Sequence, residues 1–203
     1  MYRKKRDNDI LKHVEENGGF ITIEQCALMF FNDKKFAYDQ ASRRLKKLHE
    51  SGYLRLHVGE NGKYIYYKDK RPSQHWIYLM DFYAKLISKG AEIVYYKHEE
   101  KFKSTGKPCD GYFEYVTENN AEAVIVEVDF THNTDIKRKY EKLYYTRELQ
   151  DKYKNEIGDD EYFPIVCIIS ASDKPKEQDK KYPFRLVRFN YNLDNFEKKI
   201  PIT

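Results

Sequence analysis

The sequence predicts an α+β fold in two parts, a helix-rich part over residues 1–71 and a strand-rich part over residues 72–203. Apolar residues recur at helical spacing in the first part, whereas runs of Val, Ile, Tyr and Phe typical of strands dominate the second. Between the two parts, Pro72 interrupts both patterns. A chain of 203 residues with 40% hydrophobic side chains can bury two small cores, so we expect two domains.

Three helices are predicted in the first part. The first carries Ile10, Leu11 and Val14 on one side and ends at the glycines that follow Asn17. The second begins at Thr22, which forms a capping box with Gln25. The third lies in KFAYDQASRRLKKLHESG, and its apolar and basic residues separate onto two faces. The inward face carries Tyr38, Ala41, Leu45 and Leu48, and the outward face carries mostly Arg43, Arg44, Lys46 and Lys47.

A hairpin is predicted after the third helix. YLRLHVG and KYIYYKD have strand composition and flank the turn Glu60-Asn61-Gly62, an Asn-Gly hairpin signal. Three helices followed by a basic hairpin resemble the winged helix-turn-helix DNA-binding domains of prokaryotes over residues 7–70. The resemblance implies that the third helix enters the major groove and that the hairpin, the wing, contacts phosphates or the minor groove. The implied DNA-binding residues are Lys35, Tyr38, Gln40, Ser42, Arg43, Lys46 and Lys47 on the helix side, with Arg55, Asn61 and Lys63 on the wing.

Charge is divided unevenly along the chain. Residues 1–71 hold 16 Lys+Arg against 10 Asp+Glu, whereas residues 72–203 hold 21 against 23. This division favours contact between the first part and a polyanion. Two other interpretations stay open, a solvated charged helix face and a winged helix that binds protein. The segment 3–6 is either an arm that contacts phosphate or a solubilising tail.

The second part begins with a helix that Ser73 caps, and the breadth of its apolar face allows three roles. It packs within its own domain, joins the two domains or dimerises. Three strands follow in EIVYYKHEEKF, KPCDGYFEYV and EAVIVEVDF, and then a long helix that runs from a cap at Asn133 or Thr134 to Gly158. FPIVCIIS is apolar throughout, as in a strand covered on both faces, and YPFRLVRFNYN forms the last strand.

The order αβββαβ resembles the restriction-endonuclease-like fold of PD-(D/E)xK nucleases. Asp110 opens the second strand, and Glu127 and Asp129 end the third on a common face. In those nucleases, acids at the positions of Asp110 and Glu127 bind a divalent metal, and a lysine at the position of Asp129 assists the attacking water. Because that lysine is absent, the resemblance leaves catalysis open. The structural alternative pairs these acids with Lys137, Arg138 or Lys139.

The whole chain resembles the replication-relaxation family of plasmids and mobile elements. The stretches that carry the likeness are KPCDGYFEYV, AVIVEVDFTHNT and DIKRKYEKLYYTRELQ, although Cys109 separates Pro108 from Asp110. The family implies a DNA-binding accessory or regulatory protein of replication or conjugative DNA relaxation, with no cofactor. The implied partners are double-stranded DNA, a second copy of the chain and a relaxase or replication protein. The alternatives are a metal-dependent nuclease that uses Mg²⁺ and a repressor that senses a small ligand.

Several further classes are disfavoured by the sequence. No run approaches the roughly 18 apolar residues of a membrane helix, and no apolar segment follows the basic start, so we expect a cytoplasmic protein without a membrane partner. Cys26, Cys109 and Cys167 are expected to be free thiols. Nucleotide hydrolysis is disfavoured because no Gly-rich phosphate loop is present. Tyrosine-dependent strand nicking is also disfavoured, because Tyr140, Tyr144 and Tyr145 have core spacing and His98 and His132 are isolated.

Overall fold

The computed structural model describes residues 5–59, 62–130 and 135–202. The described chain forms two sheets with helices, so the predicted α+β class is confirmed. A π-helical turn at Lys137–Glu141 and a 3₁₀ turn at Glu177–Lys181 add to the regular elements. In chain order these elements are α1 (Lys5–Glu16), β1 (Phe20–Thr22), α2 (Ile23–Phe30), α3 (Ala37–Glu50), β2 (Arg55–Val58), β3 (Tyr64–Tyr67), α4 (Gln74–Ser88), β4 (Glu92–His98), β5 (Gly111–Val116), β6 (Ala121–Val128), α5 (Lys142–Tyr145), α6 (Glu148–Ile157), β7 (Ile165–Ser170), β8 (Leu186–Asn190) and α7 (Phe196–Lys199).

The chain divides into two compact units, residues 1–89 and 90–203. The division falls after Lys89 and not after Arg71, where the sequence placed it. The reason is that α4 packs along α2. The side chain of Gln25 on α2 donates from Nε2 to the Ile77 carbonyl at 3.2 Å and to Asp81 Oδ1 at 2.8 Å. Helix α4 therefore belongs with the helices that precede it.

The first unit combines a helical core with a small antiparallel sheet in the order β1-β3-β2. Strand β1 was missed by the sequence analysis because its three residues adjoin the start of α2. The predicted capping box is present, since Thr22 N donates to Gln25 Oε1 at 2.9 Å and Gln25 N donates to Thr22 Oγ1 at 3.2 Å. Ile10 of α1, Cys26 of α2 and Leu45 of α3 meet in one buried cluster. This packing fixes α3 with its polar face outward.

The second unit contains a five-stranded sheet in the order β4-β5-β6-β7-β8. The predicted meander is confirmed, because β4, β5 and β6 pair antiparallel. Strand β7 pairs parallel with β6, and β8 pairs parallel with β7. Every residue of β7 is buried, as its apolar sequence predicted. Ile125, Val166 and Ile168 pack with Tyr140 and Leu143 in one core cluster. The segment from the π turn through α6 therefore covers one face of the sheet.

The long helix predicted up to Gly158 is interrupted. It consists of the π turn, α5 and α6, and the break lies at Arg147, whose φ is 58°. The Gln150 side chain satisfies the carbonyl of Tyr144 beside the break, with Nε2 donating at 3.0 Å. Gly158 ends α6 in the left-handed conformation, as predicted. The predicted cap at Asn133 or Thr134 lies outside the described residues.

Two predictions about thiols and membranes can also be compared with the fold. The three cysteines are free and buried, as expected. In the ranges that the structure describes, no helix combines the length and apolarity needed to span a bilayer.

Candidate nucleic-acid interface and carboxylate cluster

The exposed face of α3 presents basic side chains to solvent. Leu45 and Leu48 are fully buried in the core, whereas Arg43, Lys46 and Lys47 are exposed on the other side of the helix. Arg43 Nε donates to the Asp39 carbonyl at 3.2 Å, and Lys46 Nζ lies 3.9 Å from Glu50 Oε1. Such an exposed ion pair holds its partners weakly. These cations are therefore accessible to an external anion.

The other candidates on this side lie around the start of α3. Lys35 and Tyr38 are exposed, and the Lys35 ammonium lies 5.4 Å from the ring centroid of Phe36. Gln40 and Ser42 are half-buried on the flanks of the helix. Of the predicted residues on the helix side, Lys35, Tyr38, Arg43, Lys46 and Lys47 are thus exposed, and Gln40 and Ser42 are partly withdrawn.

The wing candidates differ from one another. Arg55 is exposed on β2, opposite Tyr67 of β3. Lys63 is half-buried and directed toward α4, where its Nζ lies 3.1 Å from Asp81 Oδ2. Asn61 lies outside the described residues. Of the two described candidates, Arg55 has the exposed position that a contact with an external phosphate requires.

Two arginines outside the predicted set of DNA-binding residues stand beside the basic face of α3: Arg6, from the segment 3–6, and Arg44, which was predicted on the outward face. Arg6 of α1 lies over the ring of Phe31, with 4.5 Å from Cζ to the ring centroid. Arg44 of α3 forms a two-pronged ion pair with Asp7, which is fully buried. Asp7 and Arg44 are 37 positions apart, so only tertiary packing reveals the pair.

The predicted acids of the second unit have separate surroundings. Asp110 Oδ2 accepts a hydrogen bond of 2.6 Å from Val128 N. Glu127 is 6% exposed, and its Oε1 accepts hydrogen bonds from Lys139 Nζ and from the Tyr140 hydroxyl. Asp129 is buried and borders a cavity of about 380 Å³ that Lys137 also lines.

Electrostatics reinforce the structural role of Glu127. Burial raises the pKa of its carboxyl; the charge of Lys139 opposes this shift, and the charge of Asp110 adds to it. Burial also raises the pKa of Tyr140, so its hydroxyl stays protonated and donates to Glu127. Lys139 Nζ further donates to the Pro108 carbonyl at 2.6 Å. The predicted ion pair between a strand-end acid and the following helix is thus present, formed by Lys139.

A divalent metal such as Mg²⁺ needs several oxygen ligands around one point. Within residues 5–59, 62–130 and 135–202, no group of three or more His, Cys, Asp or Glu side chains is arranged to hold a metal ion. Glu127 contacts Lys139 and Tyr140 instead, and Asp110 accepts its hydrogen bond from Val128 N. His132 lies outside the described residues.

The three tyrosines considered for strand nicking have different environments. Tyr140 is fully buried, and Tyr144 packs against Phe163 with ring centroids 5.3 Å apart. Tyr145 is 69% exposed. Tyr140 and Tyr144 therefore pack in or against the core, as their spacing predicts, whereas Tyr145 does not.

In comparisons with known proteins, no protein-family model, no curated protein and no solved structure matches the chain.

Proposed function

We propose that this protein is a double-stranded DNA-binding accessory or regulatory protein of plasmid or mobile-element replication, or of conjugative DNA relaxation. The observation that carries the DNA-binding proposal is the exposed basic face of α3, held outward by a core that buries the opposite face. The order α1-β1-α2-α3-β2-β3, three helices with a small antiparallel sheet, supports the proposal of a winged helix-turn-helix. In such a domain, α3 enters the major groove and Arg55 approaches a backbone phosphate.

The charge distribution supports the same proposal. Residues 1–89 carry 18 Lys+Arg against 11 Asp+Glu, and residues 90–203 carry 19 against 22. The boundary that the fold supplies thus makes the first unit more basic and the second more acidic than the sequence boundary did. A basic unit gains affinity for DNA by releasing counterions from the phosphates, so binding depends on salt.

The assignment to replication or relaxation rests on the resemblance of KPCDGYFEYV, AVIVEVDFTHNT and DIKRKYEKLYYTRELQ to the replication-relaxation family. We also propose a restriction-endonuclease-like second domain, which is supported by strands that pair antiparallel from β4 to β6 and parallel from β6 to β8. The leading helix of the predicted αβββαβ order, α4, lies in the first unit, so it does not belong to this domain. A homodimer and a relaxase or replication protein are the partners proposed with it. A footprint on replicon DNA locates the bound sequence.

The test of DNA binding is the double variant Arg43→Ala/Lys46→Ala. We expect weaker duplex binding and a reduction of about 2 in the slope of log affinity against log salt, since each lost phosphate contact removes about 0.9. Fluorescence anisotropy with labelled duplexes measures both quantities. Lys12→Ala/Lys70→Ala, which removes two exposed charges elsewhere in the first unit, is the matched control. Unchanged affinity and slope in the α3 variant contradict the proposal.

Metal-dependent DNA cleavage is the second candidate function. The observation that favours it is Lys139, which brings an amine to Glu127 although Asp129 stands at the strand position of the nuclease lysine. The test compares cleavage of supercoiled DNA in Mg²⁺ or Mn²⁺ by the wild type and by an Asp110→Ala/Glu127→Ala variant, and equal cleavage by both would exclude this function. Cleavage by the wild type that this variant loses would establish the nuclease.

A further inference from the structure

A cleft of about 400 Å³ lies between the first turn of α1 and the middle of α3. Among the described residues its lining combines four cationic side chains with an aromatic ring and an amide, and it includes no carboxylate. Pockets of this volume hold small organic ligands. The lining residues are Arg6, Phe31, Gln40, Arg43, Arg44 and Lys47.

Two of the cleft's cations are held in place by contacts of different kinds. The Arg6 guanidinium lies over Phe31, which is itself buried. Arg44 is fixed by its two-pronged pair with Asp7, and the charge of Asp7 offsets that of Arg44. Arg6, Arg43 and Lys47 then leave the cleft with a formal charge of about +3.

Asp33 lies close enough to feel the charge of Arg6 but does not cancel the charge of the cleft. Asp33, whose carboxyl the charge of Arg6 also influences, forms an ion pair with Lys34 and does not line the cleft. A fixed guanidinium presents a fork of N–H donors that matches the oxygens of a phosphate. Gln40 adds an amide at the same wall.

We propose that this cleft binds a phosphate group, namely a backbone phosphodiester of the DNA duplex that receives α3. The inference rests on the proposed function and deepens it. Arg43 and Lys47 belong both to the cleft and to the exposed face of α3, so the two surfaces are continuous. A phosphate held between α1 and α3 fixes the register of α3 on the duplex without reading a base.

The test is the full-length Arg6→Gln/Lys47→Gln variant, which leaves Arg44 and the buried Asp7 intact. We expect affinity to fall roughly tenfold on every duplex, with the salt slope reduced by about 2 and the ranking of duplex sequences unchanged. Lys12→Gln/Lys70→Gln is the control of equal charge. An unchanged salt slope, or an equal loss in the control, overturns the duplex proposal. Lys47→Gln alone, at an exposed position, decides the question if the double variant does not fold.

A second measurement separates DNA phosphate from a free phosphorylated compound. Inorganic phosphate is added to the wild type and the variant at constant ionic strength, and thermal unfolding is followed. If phosphate stabilises only the wild type while the wild type and the variant bind duplex DNA equally well, the cleft binds a free phosphorylated compound and the DNA proposal is overturned. If the wild type binds no duplex, the proposed function fails, whereas stabilisation by phosphate that the variant loses still supports the cleft. If the wild type binds no duplex and phosphate does not stabilise it either, the proposal that the cleft binds phosphate is overturned as well.

Discussion

Glu127 shows how strongly the surroundings of a single residue determine its role. The resemblance to PD-(D/E)xK nucleases implied a metal-binding role for this acid, but its carboxylate contacts Lys139 and Tyr140 in a buried site. A buried ion pair needs both partners, because removing one leaves an unpaired charge at a cost of about 3–5 kcal/mol. The residue type suggested chemistry, and its contacts indicate a structural tie between β6 and the π turn.

Buried His13 makes the stability of the first unit depend on pH. Burial lowers the pKa of this imidazole to about 4, from 6.5 in the unfolded chain, and its ring packs between Phe30 and Tyr83. The unfolded state therefore binds more protons between pH 6.5 and 4, so the stability from neutral His13 is complete above pH 6.5 and is lost as the pH falls. At pH 5 we expect this loss to be about 2 kcal/mol.

Chemical denaturation at pH 7 and pH 5 measures the effect. The difference between the two pH values should be about 2 kcal/mol smaller in His13→Gln than in the wild type. His75→Gln, at an exposed position of α4, should keep the wild-type difference. Equal pH dependence in wild type and His13→Gln would show that His13 is protonated as easily in the folded chain as in the unfolded one.

At the scale of elements, the helical segment after β6 departs most from its sequence pattern. Apolar residues at helical spacing from Ile136 to Leu149 predict one continuous helix. A single left-handed residue within the segment does not change this spacing, so it is not visible in the sequence. The structure places that residue at Arg147 and accommodates an extra residue in the π turn. Tyr140 can thereby reach Glu127 while Leu149 still enters the core.

The left-handed break at Arg147 predicts that glycine is more stable than alanine at this position, whereas alanine is more stable than glycine inside α6. Arg147→Gly should be more stable than Arg147→Ala by about 1 kcal/mol, because glycine adopts a positive φ without strain from a Cβ. Both variants lose the arginine side chain, so its contacts cancel in the comparison. Within α6, Lys154→Gly should instead be less stable than Lys154→Ala by about 1 kcal/mol. Denaturant unfolding measures the four variants, and alanine preferred at both positions would contradict the left-handed break.

At the scale of the whole molecule, the position of α4 determines where the chain can be divided. The sequence placed the boundary at Pro72, yet Ile77, Leu79 and Met80 are buried within the unit that ends at Lys89. Trp76 packs edge-to-face on Phe20 with ring centroids 5.8 Å apart. A fragment without α4 would expose these contacts to water.

Two fragments test this division. Residues 1–89 should unfold in one cooperative transition and bind duplex DNA with the salt slope of the full chain. Residues 1–71 should show no cooperative transition, because α2 loses the helix that packs along it. Circular dichroism during thermal unfolding, with anisotropy for DNA binding, distinguishes them. Cooperative folding of residues 1–71 would restore the boundary that Pro72 suggested.

The sequence by itself determined the α+β class, the helices of the first unit, the hairpin, the capping box at Thr22 and the strands of the second unit. These features depend on local periodicity, turn residues and capping, which act over a few positions. It also identified the basic face of α3, since helical spacing places those residues together. The tertiary structure alone decided the domain boundary, the break at Arg147, the Arg44–Asp7 and Lys139–Glu127 pairs and the cleft beside Arg6. Each of these depends on contacts between residues distant in the chain or on one backbone angle, and neither leaves a periodic signal in the sequence.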